Sequence, residues 1–234
     1  MKKIFVSVFI IFILAVSGGY SQTPLTLKLT GGANSPMGDF SNVYKSGTSI
    51  MGEIYYSLPF PGLDLTFSAG YNGFKYKNDY FTGLVTTNLG VGVDNFNYSW
   101  KATDVPVMIG ARYLLPGGNL QPYVSGEVGL HFMSFADRFN GQKLIGNTNN
   151  PTSFSYLGAT ESGSEIGVGT AIGAGVEIPF APRISIDLNV KYNYAGLTYS
   201  KAFTVFRNNN SQFTTSEMKN LNYLTARIGL QVSL

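Results

Sequence analysis

The sequence contains no cysteine, only one histidine, and little charge, since 12% of its 234 residues are Asp, Glu, Lys or Arg. Without cysteine, the chain can form neither disulfides nor a lipoprotein anchor. With His131 as the single histidine, the nitrogen and sulfur ligands that transition metals prefer are also missing. We therefore predict no metal site and no cofactor.

Long apolar runs are scarce as well, and the only one lies at the start of the chain. Lys2 and Lys3 precede an apolar run over 4–16, and small residues follow it before Gln22. This order is typical of a secretory signal peptide. We predict a signal peptide over 1–21 and one domain over 22–234; cleavage after Ser17 is the alternative. No later run approaches the roughly 18 apolar residues of a membrane-spanning helix.

A strong excess of positive charge is also absent once the signal is removed. Without Lys2 and Lys3, 14 basic residues stand against 13 acidic ones. A domain so nearly neutral lacks the basic surface of nucleic-acid-binding proteins, so we predict no nucleic-acid partner.

The mature chain instead contains eight segments in which apolar and polar residues alternate at period two, the pattern of strands with one apolar face. Short Pro/Gly turns and long polar segments connect them alternately, as in outer-membrane barrels. The fold predicted is all-β, a closed antiparallel eight-stranded transmembrane up-and-down barrel with short periplasmic turns and long extracellular loops. A ten-stranded barrel with an extra hairpin in 78–104 is the alternative. The segments are 25–33, 50–58, 63–72, 105–115, 122–135, 167–180, 184–194 and 223–234. The long segments are 34–47, 78–104, 137–165 and 200–220.

The polar faces of these strands carry nine charges, four basic and five acidic, and the apolar faces carry none. So many charges cannot form a dry core, but they can line the lumen of a narrow barrel. Because eight strands leave an interior that side chains just fill, we predict an ion-pair network that plugs the lumen. A narrow polar conduit is the alternative. The nine are Lys28, Glu53, Asp64, Arg112, Glu127, Glu177, Asp187, Lys191 and Arg227.

Three stretches, 32–40 (GANSPMGDF), 105–113 (VPVMIGARY) and 227–234 (RIGLQVSL), resemble the small eight-stranded outer-membrane barrels of the OmpA/OmpX-like family, in particular members from Bacteroidetes. The resemblance implies that the protein lies in the cell outer membrane and contacts outer-membrane lipid, with its loops outside. It also implies that the barrel-assembly machinery reads the last strand as an insertion signal, with Arg227, Gly229, Val232 and Leu234 in the signal positions. The family's last residue is usually aromatic, and Leu234 departs from that.

Enzymatic function has little support in the sequence. A catalytic role for His131 would need a nearby nucleophile, and Ser134, three residues away on a strand, points to the opposite face. The glycine-rich stretch 163–175 lacks the Lys-Ser/Thr ending of a phosphate-binding loop and fits the crowded inner face of a barrel. We predict no catalytic residue.

The functional prediction is therefore a non-catalytic, monomeric outer-membrane barrel with a structural or surface-binding role through its extracellular loops. A surface partner would contact the loop aromatics, but the sequence does not identify it. Alternatives are a narrow channel for small solutes and, last, a lipid-modifying enzyme. The loop aromatics are Tyr80, Phe81, Phe96, Tyr98, Trp100, Phe154 and Tyr156.

Overall fold

Eight strands close into an antiparallel barrel, as predicted. The computed structural model describes residues 25–77, 79, 97–140, 164–197, 201–206, 212–217 and 220–234, so the predicted signal peptide lies outside the described residues. The barrel strands are β1 (Leu25–Pro36), β2 (Tyr44–Ser57), β3 (Leu63–Tyr76), β4 (Asn97–Leu114), β5 (Gln121–Asn140), β6 (Ser164–Ala181), β7 (Ile184–Ala195) and β10 (Leu221–Ser233). Their order around the barrel is β1-β10-β7-β6-β5-β4-β3-β2.

The last strand closes the barrel on the first. β10 pairs with β1 from Thr26↔Ser233 to Pro36↔Tyr223, which removes both sheet edges. This is the closure that alternation in 223–234 predicts. Because β3 and β4 pair directly, no extra hairpin enters the sheet between them, and the ten-stranded alternative is wrong.

The two ends of the barrel differ as expected. At one end, which we call the turn end, the strands are joined by the short connections 58–62, 115–120 and 182–183. At the other, the loop end, they are joined through 37–43, 77–96, 141–163 and 196–220.

All four predicted polar loops contain regular structure. In 78–104 and 137–165 it consists of the ends of β4, β5 and β6, which extend into these segments. The segment 34–47 is not a loop throughout: β1 runs to Pro36, a one-and-a-half-turn helix α1 (Gly38–Val43) follows, and β2 begins at Tyr44. The segment 200–220 contains a separate hairpin, β8 (Lys201–Phe206) paired with β9 (Gln212–Glu217). Over the described ranges, no helix is long and apolar enough to cross a membrane.

Alternation divides the residues of the barrel between lumen and exterior. Large apolar side chains such as Ile109, Ile172 and Leu230 are exposed on the outside, while charged and amide side chains are buried inside. A protein in water would have the reverse arrangement, whereas a barrel in lipid requires this one. Exposed aromatic side chains mark both ends of the apolar band, a common feature at membrane interfaces. They are Tyr56, Tyr113 and Phe180 towards the turn end and Tyr71, Phe132 and Tyr194 towards the loop end.

Candidate functional site

The lumen of the barrel is the candidate site, because its charged side chains are withdrawn from solvent. The nine charged residues predicted to line it all point inward, and none is more than 7% exposed. Every one of the eight barrel strands contributes at least one of them, and β7 contributes two. Buried charges are costly unless they are paired and hydrogen-bonded. Their partners therefore decide what the lumen can do.

One cluster surrounds Arg112 on β4. Its Nε donates to Asp64 Oδ2 at 2.7 Å, and its Nη1 donates to Glu177 and, at 3.2 Å, to Gln231 Oε1. The guanidinium also stacks on Tyr55, with Cζ 3.6 Å from the ring centroid. One planar cation thus joins side chains from four other strands, which is the kind of multiple contact that a guanidinium favours.

A second cluster alternates cations and carboxylates across the lumen. Glu53 accepts from Lys28 Nζ at 2.5 Å and from Lys191. Lys191 also lies 2.8 Å from Glu127 Oε1, whose other carboxylate oxygen accepts from Ser68. Because each of these lysines also meets a second acidic side chain, the charges form a chain and not isolated pairs.

Three hydrogen bonds cross the full diameter of the barrel. In an eight-stranded ring, strands four places apart face each other, as β1 faces β5 and β4 faces β10. Lys28 Nζ donates to the Tyr123 hydroxyl at 3.2 Å, and Arg112 Nη1 reaches Gln231. Towards the loop end, the Tyr223 hydroxyl donates to Asp104 Oδ2 at 2.6 Å. Side chains that meet across the diameter obstruct a straight path along the axis.

Arg227 departs from the predicted network. It lies in the lumen, but its Nε donates to Asn189 Oδ1 at 3.3 Å, and no carboxylate of the described residues lies within ion-pair distance. Its Nη1 and Nη2 have no hydrogen-bond partner among the described residues. The register explains the difference, because the neighbours of Arg227 on the adjoining strands are Asn189 and Gly32, neither of which is acidic.

A further cluster near the loop end was missed from the sequence. Asp104 is fully buried, its Oδ2 lies 3.0 Å from His131 Nδ1, and it also accepts from Tyr223. Asn72 donates to the Tyr223 hydroxyl at 2.9 Å. The alternation in the sequence predicts Asp104 at the end of the long segment 78–104, whereas β4 begins at Asn97. Asp104 points inward because Pro106, two residues later on the same strand, also points inward and the alternation of β4 continues back to Asp104.

His131 faces the lumen, as predicted, and Ser134 lies on the outer face. Nε2 of His131 has no hydrogen-bond partner among the described residues and points towards Gly169. The side chain of His131 is completely buried.

The glycines of β6 make room for lumen side chains. A Cβ at Gly169 would lie 2.4 Å from His131 Cδ2, and one at Gly175 would lie 2.5 Å from Tyr123 Cζ. A side chain at either position would therefore displace a member of the lumen clusters. The described glycines of the stretch 163–175 thus leave space that lumen side chains occupy.

Aromatic side chains close the lumen at the loop end. Phe40 of α1 is fully buried and contacts Tyr44 and Phe74, with ring centroids 4.7 and 4.9 Å away. Phe74 in turn meets the ring of Tyr223 at 5.2 Å. The Met37 backbone N–H donates to Asn222 O at 2.9 Å and so joins the start of α1 to β10. This aromatic cap covers the Asp104 cluster.

The remaining predicted residues are those of the insertion signal and the loop aromatics. Arg227 and Gly229 lie on the lumen face of β10, and Val232 lies on its outer face. All three residues pair with residues of β1. Their role as an insertion signal, with Leu234, stays a prediction. Among the loop aromatics, Tyr80, Phe81, Phe96, Phe154 and Tyr156 lie outside the described residues, and Tyr98 and Trp100 belong to β4.

Comparison with known proteins agrees with the barrel. The family described as "outer membrane protein beta-barrel domain" matches residues 10–219. Among solved structures, a major outer membrane protein from Thermus thermophilus is 11% identical over 89% of this chain and 98% of that one, with a TM-score of 0.50. The outer membrane protein OprG from Pseudomonas aeruginosa is 12% identical over 92% and 99%, with a TM-score of 0.48. Ail, the attachment invasion locus protein of Yersinia pestis, is 10% identical over 91% and 99%, with a TM-score of 0.46. At these identities the similarity is one of fold. No curated protein matches the sequence.

Proposed function

Since the chain belongs to the outer membrane protein beta-barrel family, we propose that it is a non-catalytic, non-conducting barrel of the outer membrane. Its lumen is closed by an ion-pair network, and its loop end carries contacts with the cell exterior. The observation that carries the proposal is the set of hydrogen bonds across the full diameter, Lys28 to Tyr123, Arg112 to Gln231 and Tyr223 to Asp104.

The pairing of the lumen carboxylates with cations supports a structural role for the network. The four basic side chains of the predicted set face five acidic ones, and Asp104 adds a sixth carboxylate beside His131. A conduit for ions needs sites that ions can enter and leave. Here Glu53, Glu127 and Glu177 are already occupied by Lys28, Lys191 and Arg112. The narrow-channel alternative would require these pairs to open.

The absence of catalysis is also part of the proposal. His131 and Asp104 resemble the base and orienting acid of a hydrolase, but Nε2 of His131 faces Gly169 and not a hydroxyl group. Both side chains lie below the aromatic cap and are fully buried. We assign the pair to the closure of the lumen, and the lipid-modifying alternative has no nucleophile among the residues described near it.

The surface-binding part of the proposal rests on the loop end. β4 and β5 remain paired up to Asn97↔Asn140, whereas the described ladder of β4 with β3 reaches only Lys75↔Lys101. The pairing of β4 with β5 therefore extends beyond β3 on the exterior side. Such extensions present backbone and side chains to a partner while the barrel fixes their position.

Thiol accessibility tests the closed lumen, because the chain has no cysteine of its own. Ser49 is buried in the lumen with a hydroxyl that lacks a partner among the described residues, so Ser49→Cys removes no hydrogen bond recorded there. In folded protein in lipid vesicles, this thiol should resist a small water-soluble thiosulfonate until the barrel is unfolded. Gly118→Cys, in an open turn, should react at once. Reaction of both thiols at similar rates in the folded protein would refute the closed lumen.

A further inference from the structure

Three lysines lie side by side on the outside of the barrel at the loop end. Lys45 on β2 is directly opposite Lys75 on β3, which is directly opposite Lys101 on β4. All three are exposed. Directly opposed residues on antiparallel strands have Cα atoms about 4.5–5.5 Å apart. We call these three residues the lysine row.

Such a row is unfavourable by itself, because like charges directly opposite each other destabilise a sheet. Nothing in the described part of the chain compensates it: the ion pairs there all lie in the lumen, and none includes a residue of the row. Lys77, which directly follows β3, is different, since its ammonium donates to the carbonyl oxygen of Ser41. The row therefore places three ammonium groups side by side without an ion pair to any described side chain.

From the lysine row towards the middle of the barrel, the outer surface changes from charged to apolar within two outward positions on each strand. The next outward positions are Thr48, Gly73 and Thr103, which pair with one another in register. A Cβ at Gly73 would lie 3.6 Å from Tyr71 Cε1, 3.8 Å from Thr48 Oγ1 and 3.9 Å from the Tyr71 hydroxyl. The missing side chain thus leaves a shallow notch bordered by the Tyr71 ring and by two hydroxyl groups.

Below the notch the surface is apolar. Ile50 and Tyr71 are paired and 44% and 49% exposed, and Val105 follows Thr103 on the outward face of β4. Tyr71 belongs to the aromatic belt at the loop end, where a membrane changes from hydrocarbon to headgroups. The order from outside to inside is thus cations, hydroxyl groups and apolar side chains.

We propose that the lysine row and the notch below it bind the phosphorylated headgroup of an outer-leaflet glycolipid. Three ammonium groups would share the phosphate charge, and the hydroxyl groups of Thr48 and Tyr71 would donate to headgroup oxygens. The acyl chains would then lie along Ile50, Tyr71 and Val105. This continuity with the lipid-facing surface favours a lipid over a soluble anion, because a soluble anion gains nothing from the apolar part.

Lipid retention tests the site. Full-length protein refolded in detergent would be mixed with bisphosphorylated lipid A, and bound lipid would be counted by native mass spectrometry. Wild-type protein should retain lipid A about a hundredfold better than the triple variant K45Q/K75Q/K101Q, since each lysine near an anionic surface contributes about a factor of five and the contributions add. Arg183→Gln, at an exposed cation in a turn at the other end, is the matched control and should behave as wild type. Equal retention by the triple variant, or equal retention of dephosphorylated lipid A by wild type, would overturn the proposal.

A thermal measurement gives a second readout and needs only one substitution. Lys75 belongs to both opposed pairs, so Lys75→Gln removes both repulsions. In phosphatidylcholine vesicles this variant should unfold at a higher temperature than wild type. Addition of lipid A should raise the unfolding temperature of wild type more than that of the variant.

The same measurement separates the lipid from free phosphate. If inorganic pyrophosphate stabilises wild type as much as lipid A does, the site is one for soluble phosphate and the lipid assignment is wrong. If lipid A stabilises wild type and Lys75→Gln equally, the lysine row is not a binding site. Heat-modifiable migration on detergent gels verifies that each variant is folded, and Lys75→Gln carries the retention test alone should the triple variant fail to fold.

Discussion

Tyr223 and Asp104 lie on diametrically opposed strands, β10 and β4, and yet the tyrosine hydroxyl donates to the carboxylate at 2.6 Å. The two residues are 119 positions apart in the chain. Their contact lies under the aromatic cap, because the ring of Tyr223 packs against Phe74. The hydrogen bond therefore ties the cap to the clusters of the lumen.

Tyr223→Phe should lower the stability of the barrel without changing its shape. The ring and its contact with Phe74 remain, but Asp104 loses a donor and stays buried. Loss of one partner of a buried polar group costs about 1–3 kcal/mol. Urea unfolding in lipid vesicles measures the change. Tyr56→Phe, at an exposed tyrosine, is the control and should be neutral; equal stability of the two variants would contradict the role of the contact.

The chain of charges through Lys191 predicts non-additive mutations. Lys191→Met removes a cation from Glu53 and from Glu127, and breaking a buried pair in this way costs roughly 3–5 kcal/mol. Glu127→Gln in the same protein removes one uncompensated carboxylate and should restore part of the loss. Unfolding free energies of the four proteins in a double-mutant cycle give the coupling, expected at about 0.5–3 kcal/mol. Additive effects would mean that the two side chains do not interact. Arg183→Met controls for the loss of a surface cation.

A side chain at Gly169 should interfere with the Asp104 cluster. The alanine Cβ of Gly169→Ala would meet His131 at 2.4 Å and the backbone oxygen of Tyr194 at 2.6 Å. Overpacking of this kind costs about 1–3 kcal/mol. Gly126→Ala is the matched control, because Gly126 lies on the lipid face of the neighbouring strand with open space around it. The midpoints of urea unfolding should separate the two alanine variants; coincident midpoints would show that the lumen tolerates the added methyl group.

The end of β10 should be needed for insertion but not for export. Val232 pairs with Leu27, and the Leu234 backbone N–H donates to Leu25 O at 3.0 Å. Deletion of 232–234 removes these closing contacts together with two positions of the predicted insertion signal. We expect the truncated protein to reach the periplasm and to remain protease-sensitive and heat-unmodifiable. Leu234→Phe keeps the backbone contact and supplies the family's aromatic residue, so it should insert at least as well as wild type. Normal insertion of the truncation would refute the predicted role.

The faces and number of the strands were readable from the sequence because alternation is a local property. Ile184 to Tyr194 on β7, for example, shows period two without interruption, and its faces lie as predicted. The alternation also gave the lumen positions of the charged residues, since every inward residue of a narrow barrel is buried.

Contacts across the lumen could not be predicted from the sequence, because they depend on the register of the strands and on the shear of the barrel. Nothing near Asp104 in sequence indicates that Tyr223 will be its partner, and nothing near Arg227 indicates that Asn189 will replace a carboxylate. The register also decides that Lys45, Lys75 and Lys101 meet, although 26 to 30 residues separate neighbours in the row. The helix α1 was missed because its six residues have no side-chain cap at Met37 and begin after a Pro-containing strand end.

Single-channel recording in a planar bilayer tests the closed lumen most directly. Wild-type protein should show no steady conductance, because Lys28, Arg112 and Tyr223 each bond to the opposite wall. Arg112→Ala and Glu127→Gln each remove a member of the network, so they should give either no current or new, unstable openings. A steady conductance of wild-type protein that decreases when Arg112 or Glu127 is altered would contradict the closed lumen and establish the narrow channel.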